Sequence, residues 1–406
     1  MSSAASLAKR PGHVPADRVV DFDYYAPPSV EHGFHAAWKT LQAPGVPDLV
    51  WTPRNGGHWI ATRARLIMEV FSDHTRFSNR VVIVPKSVGE QHRMLPEVLD
   101  PPEHRPFRTL LNGCLSPKAI NPMEAVIRGV AAELIEDLLP KGRCEFIEDF
   151  AAHLPIRIFM RLVDLPVEDV PRIKLWSEEI VHPSGRLTYA EAKGNFYSYL
   201  EPHIAERLGQ PGSDMLSTVI NGQVDGRDLN KEEMLSLSMQ LLLGGLDTVY
   251  NFLGFAFHFL AGNPEHRRQL ASDTTLIPAA VNELLRRFPV VTMAREVRGD
   301  ITFDGVELKD GEMILVASPL VGIDERLNPE PLEVDFQRRG GEHATFGKGH
   351  HICAGAHLAR LELRIAIEEW LRRIPDFEVA PQEEVRFRGG IVGAIVRLPL
   401  VWDARS

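Results

Sequence analysis

The chain is 406 residues long, 44% hydrophobic and 25% charged, a balance that excludes global disorder and leaves apolar material enough to enclose a bulky cofactor. A formal net charge of -10 excludes a general affinity for nucleic acid, whose phosphates require a basic surface. Three cysteines, Cys114, Cys144 and Cys353, show no paired spacing, which points to a reducing compartment, the cytoplasm.

The N-terminus, "MSSAASLAKRPGHVPADRVVDFDYY", lacks an apolar run, so it is expected to carry neither a signal peptide nor a membrane anchor. Residues 1–25 are expected to be loosely ordered. "LVWTP" and "HWIATR" read as strands and "ARLIMEVFSD" as a helix. From about Ser116 to Leu284 helical periodicity dominates, as in "MEAVIRGVAAELIEDLL". "ITFDGVELKDGEMILVASP" then reads as strands joined by Asp-Gly turns, and "GGIVGAIVRLPLVW" as a β-like tail. The fold class is therefore mainly α with small β-sheets. Because both ends supply strands, residues 1–406 are expected to form a single interwoven domain.

"MLSLSMQLLLGGLDTVYNFLGFAFHFLAG" carries one charged residue, Asp247. As a helix it would extend about 40 Å, long enough to span a bilayer. An uncompensated acid near the centre of such a span costs on the order of 3 kcal/mol, so a helix buried all round in a large domain is the favoured reading. Gly244 and Gly245 each cost about 1 kcal/mol relative to alanine in a helix interior. They imply close packing or the approach of a ligand. Thr248, four residues after Gly244, can bond the carbonyl of Gly244 and is expected to open the helix locally. An alcohol beside a buried acid can relay protons.

In "FGKGHHICAGAHLARLEL", Cys353 precedes a helical pattern at a position where a helix N-terminus favours a thiolate. Gly347, Gly349 and Gly355 allow tight turns and close approach of the backbone to a flat partner. A lone buried cysteine is ordinarily inert filler, the reading given to Cys114 and Cys144. Zinc is disfavoured for Cys353, which has no second cysteine and no well-spaced histidine pair, His351 and His357 being six apart. What remains is a single-thiolate ligand, such as haem iron takes.

These residues resemble a known family. Phe346-x-x-Gly349-x-x-x-Cys353-x-Gly355 is similar to the haem-binding signature of the cytochrome P-450 superfamily, Glu283-x-x-Arg286 to its structural ion pair, and "GGLDT" to its oxygen-binding segment. "DPPEHRPFR", "PIRIFM" and "LPLVW" are similar to the bacterial camphor 5-monooxygenase group.

The resemblance implies the cytochrome P-450 fold, with haem b buried between helices and Cys353 as axial ligand to its iron. Phe346 would shield the sulfur, and Gly244 and Gly245 would face the haem. Arg108, Arg295, His351 and His104 would surround the propionates. Glu283, Arg286 and Arg338 would form an ion network behind the thiolate loop. Asp247 and Thr248 would deliver protons during dioxygen activation, with Lys174 and His182 as cationic partners of the acid. Arg105, Arg108, Lys348 and Arg360, with His350 nearby, would dock an iron–sulfur ferredoxin that passes on electrons from NADH through a reductase.

The expected substrate wall departs from the camphor group. His92 stands in place of a ketone-binding tyrosine, Ile83 in place of an aromatic and Gln240 in place of a leucine. Met94, Leu243, Val291 and Val392 complete that wall, Met293 replaces an acid, and Arg80 replaces a glutamate of a potassium site. A small apolar terpenoid or norisoprenoid, camphor-like or ionone-like, is the expected substrate of hydroxylation. The rival readings are a peroxygenase using hydrogen peroxide and a haem sensor without catalysis.

Overall fold

The computed structural model describes residues 7–182, 185–210 and 212–404. Its principal sheet has five strands in the order Leu49–Thr52, His58–Ala61, Met313–Ala317, Thr292–Val297, Phe77–Ser78. Strands distant in sequence thus lie side by side, and Ile314 pairs with both Trp59 and Arg295. That register fixes Arg295 on an interior strand, where it is 3% exposed. Asp304 and Gly305 both adopt positive φ, as a tight hairpin turn requires.

The long helix runs from Lys231 to Gly262 without interruption. It starts three residues before the apolar run because Asn230 and Glu233 form a reciprocal capping box. It packs against His153–Leu162, Val170–Val181 and Tyr189–Arg207, and is buried along most of its length. Among the described residues, no helix is long and apolar enough to cross a membrane. A second helix, Ala356–Arg373, follows the cysteine loop and packs on Glu124–Leu138 and Ile277–Arg287.

Two expectations need correction. The helix does not open at "GGLDT": Thr248 Oγ1 reaches the Gly244 carbonyl at 3.4 Å, a long bond, and leaves the ladder intact. The N-terminal segment is pinned from Val14 onward. Val14, Phe22 and Tyr24 are buried, and the Tyr24 hydroxyl donates to the Val84 carbonyl across 2.9 Å. Spaced apolar anchors here outweigh the proline- and glycine-rich composition; residues 1–6 lie outside the described residues.

Candidate functional site

The long helix and the cysteine helix contribute to the wall of one cavity of about 330 Å³. Gly244 is exposed in an otherwise buried stretch, and the space it faces is this cavity. The two glycines have separate reasons. A Cβ on Gly245 would lie 2.6 Å from Phe159 Cδ2, so that position serves close packing, whereas a Cβ on Gly244 would meet nothing closer than Gln240 Nε2 at 4.0 Å. Thr248 lines the cavity one turn further on.

On the opposite side of the fold's chain order, the loop before Ala356 is drawn tight by a bond from the Cys353 amide to the Phe346 carbonyl, 2.7 Å. Gly347 and Gly349 take positive φ, and a Cβ on Gly349 would sit 2.7 Å from the Phe71 carbonyl oxygen. Arg360 stacks over the Phe346 ring at 4.4 Å. Cys353 is accessible to solvent and yet enclosed by protein, because the surface it shows is cavity wall. Burial pushes its thiol up, against the Gly355 amide and the charges of Arg108 and Arg360. A thiolate here needs a further positive partner, which a bound metal would supply.

Two histidines and two arginines face the same space: His104, Arg108, Arg295 and His351. His104 Nε2, Arg295 Nε and His351 Nε2 are buried without hydrogen-bond partners. Burial holds Arg295 down at about 10, and burial with the charge of Arg295 takes His351 to about 2. Arg108 donates to the Ile352 carbonyl and to Asn112. Buried ring and guanidinium nitrogens without partners, the charges of Arg108 and Arg295, and one sulfur on the same wall fit haem, whose propionates would satisfy those nitrogens and whose iron would take Cys353.

Behind the loop, Glu283 accepts from Arg286 Nε and Nη2 at 2.8 Å each, and from Arg338 Nε at 3.0 Å. Arg286, 0% exposed, also donates to the carbonyls of Gly322, Pro331 and Glu333.

Asp247 faces away from the cavity. Its Oδ1 accepts from the Tyr250 hydroxyl at 2.7 Å and its Oδ2 from Asn251 Nδ2 at 3.2 Å. His182 Nε2 lies 3.3 Å from Oδ2, an ion-pair distance, but is off-line for a hydrogen bond. Burial pushes the Asp247 carboxyl up; the His182 charge, Tyr250 and Arg388 outweigh it and hold it below the usual carboxylate range. Lys174 is not a partner of this acid. Its ammonium goes to Glu148 at 2.7 Å, with Glu178, one turn on in the same helix, at 3.8 Å.

The expected substrate wall is brought together only in part. Gln240 and Val291 line the cavity, as does Met293, but His92, Ile83, Met94, Leu243 and Val392 do not. His92 is spent elsewhere: Nε2 bonds Glu97 Oε2 at 2.9 Å and Nδ1 bonds the Tyr189 hydroxyl at 3.2 Å. The other four are buried apolar side chains in the packing around the cavity. Arg80 forms a bidentate pair with Glu296, at 2.6 Å through each nitrogen.

Of the expected docking residues, Arg105 and Lys348 are exposed, whereas Arg108 and Arg360 are half-buried at the cavity and over Phe346. Cys114 and Cys144 are buried and free, with thiols pushed up by burial, in keeping with filler.

Several functional candidates escape sequence reasoning. Tyr250 and Asn251 stand three and four residues from Asp247, a spacing that places them on its face. Glu362 lines the cavity with Oε2 unpartnered, and burial pushes its carboxyl well above the usual range. Its signal was an acid flanked by Leu361 and Leu363 in an apolar helix. Glu97 and Arg388 carried no local signal.

One sulfur and a helical alcohol on the wall of one cavity that Arg108 and Arg295 also line define a haem-thiolate protein. Comparison with known proteins agrees. The family model described as Cytochrome P450 matches residues 192–388. A probable cytochrome P450 127A1 of Sinorhizobium fredii is 31% identical over 97% of this chain and 96% of its own. The crystal structure of CYP101J2 superposes with a TM-score of 0.92 at 47% identity, covering 98% of this chain and 100% of that one. That of CYP101C1 gives 0.91 at 40% identity over the same shares. The chain belongs to the cytochrome P450 family and is a monooxygenase of the camphor-type group.

Proposed function

We propose that this monooxygenase hydroxylates an unactivated C–H bond of a small apolar terpenoid or norisoprenoid, taking electrons from a ferredoxin supplied by NADH and a reductase. We also read residues 1–406 as one domain working in the cytoplasm. The observation that carries the proposal is the placement of Thr248 and Cys353 on the wall of one largely apolar cavity, with Asp247, the residue before Thr248, held in a polar nest turned from that wall.

Bound haem, held by Cys353 and by Arg108, Arg295, His351 and His104, would supply the dioxygen chemistry. The chain's own part is binding and proton handling. The apolar wall holds the substrate and excludes water. Thr248 presents a hydroxyl to the cavity; Asp247, kept ionised in a nest beside His182 and Arg388, would carry a proton from that region to the hydroxyl by turning its side chain out of the nest. A peroxygenase needs no such relay. Exposed Arg105 and Lys348 give an acidic ferredoxin a point of attraction beside the cysteine loop.

The test is Thr248→Ala in the protein reconstituted with ferredoxin, reductase and NADH. NADH consumption should persist while product per NADH falls and hydrogen peroxide rises. An unchanged product yield would refute the relay.

A further inference from the structure

Gln240 sits one turn before Gly244 on the long helix, at the cavity wall, in a run whose neighbours Met239, Leu241, Leu242 and Leu243 are all buried apolar side chains. Its amide makes no hydrogen bond among the described residues. Oε1 is buried without a partner, and Nε2 lies on the Gly244 side, where the helix surface is open. The inward Oε1 is out of a ligand's reach, whereas Nε2 is left as a free donor at an apolar cavity wall, which favours a bound acceptor there. The orientation has a physical basis: a buried amide N–H without an acceptor is rarer and costlier than an under-satisfied carbonyl, so the oxygen turns inward and the –NH2 outward.

The other polar groups at the cavity are engaged or of the wrong sign for an oxygen acceptor. His92 does not line the cavity and is tied to Glu97 and Tyr189. Asn79 Nδ2 donates to the Glu97 carbonyl at 3.0 Å. Glu97 presents a carboxylate, which accepts and does not donate. The cationic groups belong to the propionate end. Ser318 and Thr345 donate to the Val291 and Leu285 carbonyls, Thr248 is assigned to the relay and Glu362 stands on the cysteine helix, which leaves Gln240 as the free amide donor on the long helix.

We propose that Gln240 is a specificity-determining residue whose Nε2 donates a hydrogen bond to a single acceptor oxygen, a ketone or an ether, on an otherwise apolar substrate. This rests on the terpenoid reading above and narrows it: the polar anchor sits on the long helix and not at His92.

The test uses the full-length haem-loaded protein and two ligand pairs that share a carbon skeleton, camphor with bornane and β-ionone with its deoxygenated hydrocarbon. Affinity is read from the substrate-induced absorption shift. In at least one pair the wild type should bind the ketone about tenfold more tightly than the hydrocarbon, the scale of one hydrogen bond. Gln240→Met should abolish that preference while changing hydrocarbon affinity less than about twofold, and His92→Phe should leave the ratio in place. If Gln240→Met fails to fold, Gln240→Glu keeps the shape but accepts where the amide donates, and it should lose the preference too. Equal binding of ketone and hydrocarbon in the wild type, or a preference that survives in the Gln240 variant or vanishes with His92→Phe, overturns this proposal alone. No shift with any of the four ligands overturns the terpenoid reading and this narrowing with it.

Discussion

Tyr250 donates its hydroxyl to Asp247 Oδ1 across 2.7 Å, and both side chains are buried on the face of the long helix turned from the cavity. A carboxylate in that position would be costly alone. With Tyr250, Asn251 and the charges of His182 and Arg388 around it, it stays ionised.

Tyr250→Phe removes one donor to the charged form, so the folded-state pKa of Asp247 rises. A depressed carboxylate contributes stability that is full above its unfolded value, near 3.8, and is lost as pH falls through the folded value. That loss still begins near the unfolded value, where the unfolded chain takes up its proton first, but in the variant it is smaller and complete at a higher pH. Tyr250→Phe should therefore be less stable by about 1.5–3 kcal/mol at neutral pH, and the gap in thermal midpoint to the wild type should narrow as pH falls below the unfolded value. A gap that stays constant across the acid range would show that the hydroxyl does not hold the carboxylate.

The paired glycines should respond in opposite ways to alanine. Gly245→Ala drives a methyl group to 2.6 Å from the Phe159 ring and should cost about 1–3 kcal/mol in urea unfolding. Gly244→Ala has room and should gain up to about 1 kcal/mol of helix propensity. It should also weaken ligand binding, because the methyl group enters the cavity. The reverse order of stabilities would contradict the packing described here.

Glu283→Ala leaves the guanidinium of Arg286, 0% exposed, without its carboxylate. Breaking one side of a buried pair costs about 3–5 kcal/mol, whereas replacing both Glu283 and Arg286 by apolar residues should cost less than the single change. Denaturant midpoints of the two variants check this. A double variant less stable than Glu283→Ala would mean that Arg286 contributes mainly through its bonds to the Gly322, Pro331 and Glu333 carbonyls.

What could be read from the chain was local. The cysteine loop is legible because Phe346, Gly347, Gly349 and Cys353 lie within eight residues, and their spacing carries the turns that a flat ligand needs. Glu283 with Arg286, and Asp247 with Thr248, are likewise one-helix features. The substrate wall was not legible, since the direction in which a loop side chain points depends on partners far along the chain. His92 turns to Tyr189, 97 residues away. Lys174 failed as a partner of Asp247 for a similar reason: a long flexible side chain takes the carboxylates within reach, and those are Glu148 and Glu178. The helix at "GGLDT" stays closed because Thr248 meets the Gly244 carbonyl only loosely, a matter of tenths of an ångström that no pattern encodes.

The most direct test of the whole account is the absorption of the reduced, haem-loaded protein under carbon monoxide. Thiolate ligation by Cys353 predicts an intense band displaced to the red of that given by histidine-ligated haem, and Cys353→His should retain haem while losing the displacement. A wild-type band at the histidine-type position, or a displaced band that survives Cys353→His, would contradict it.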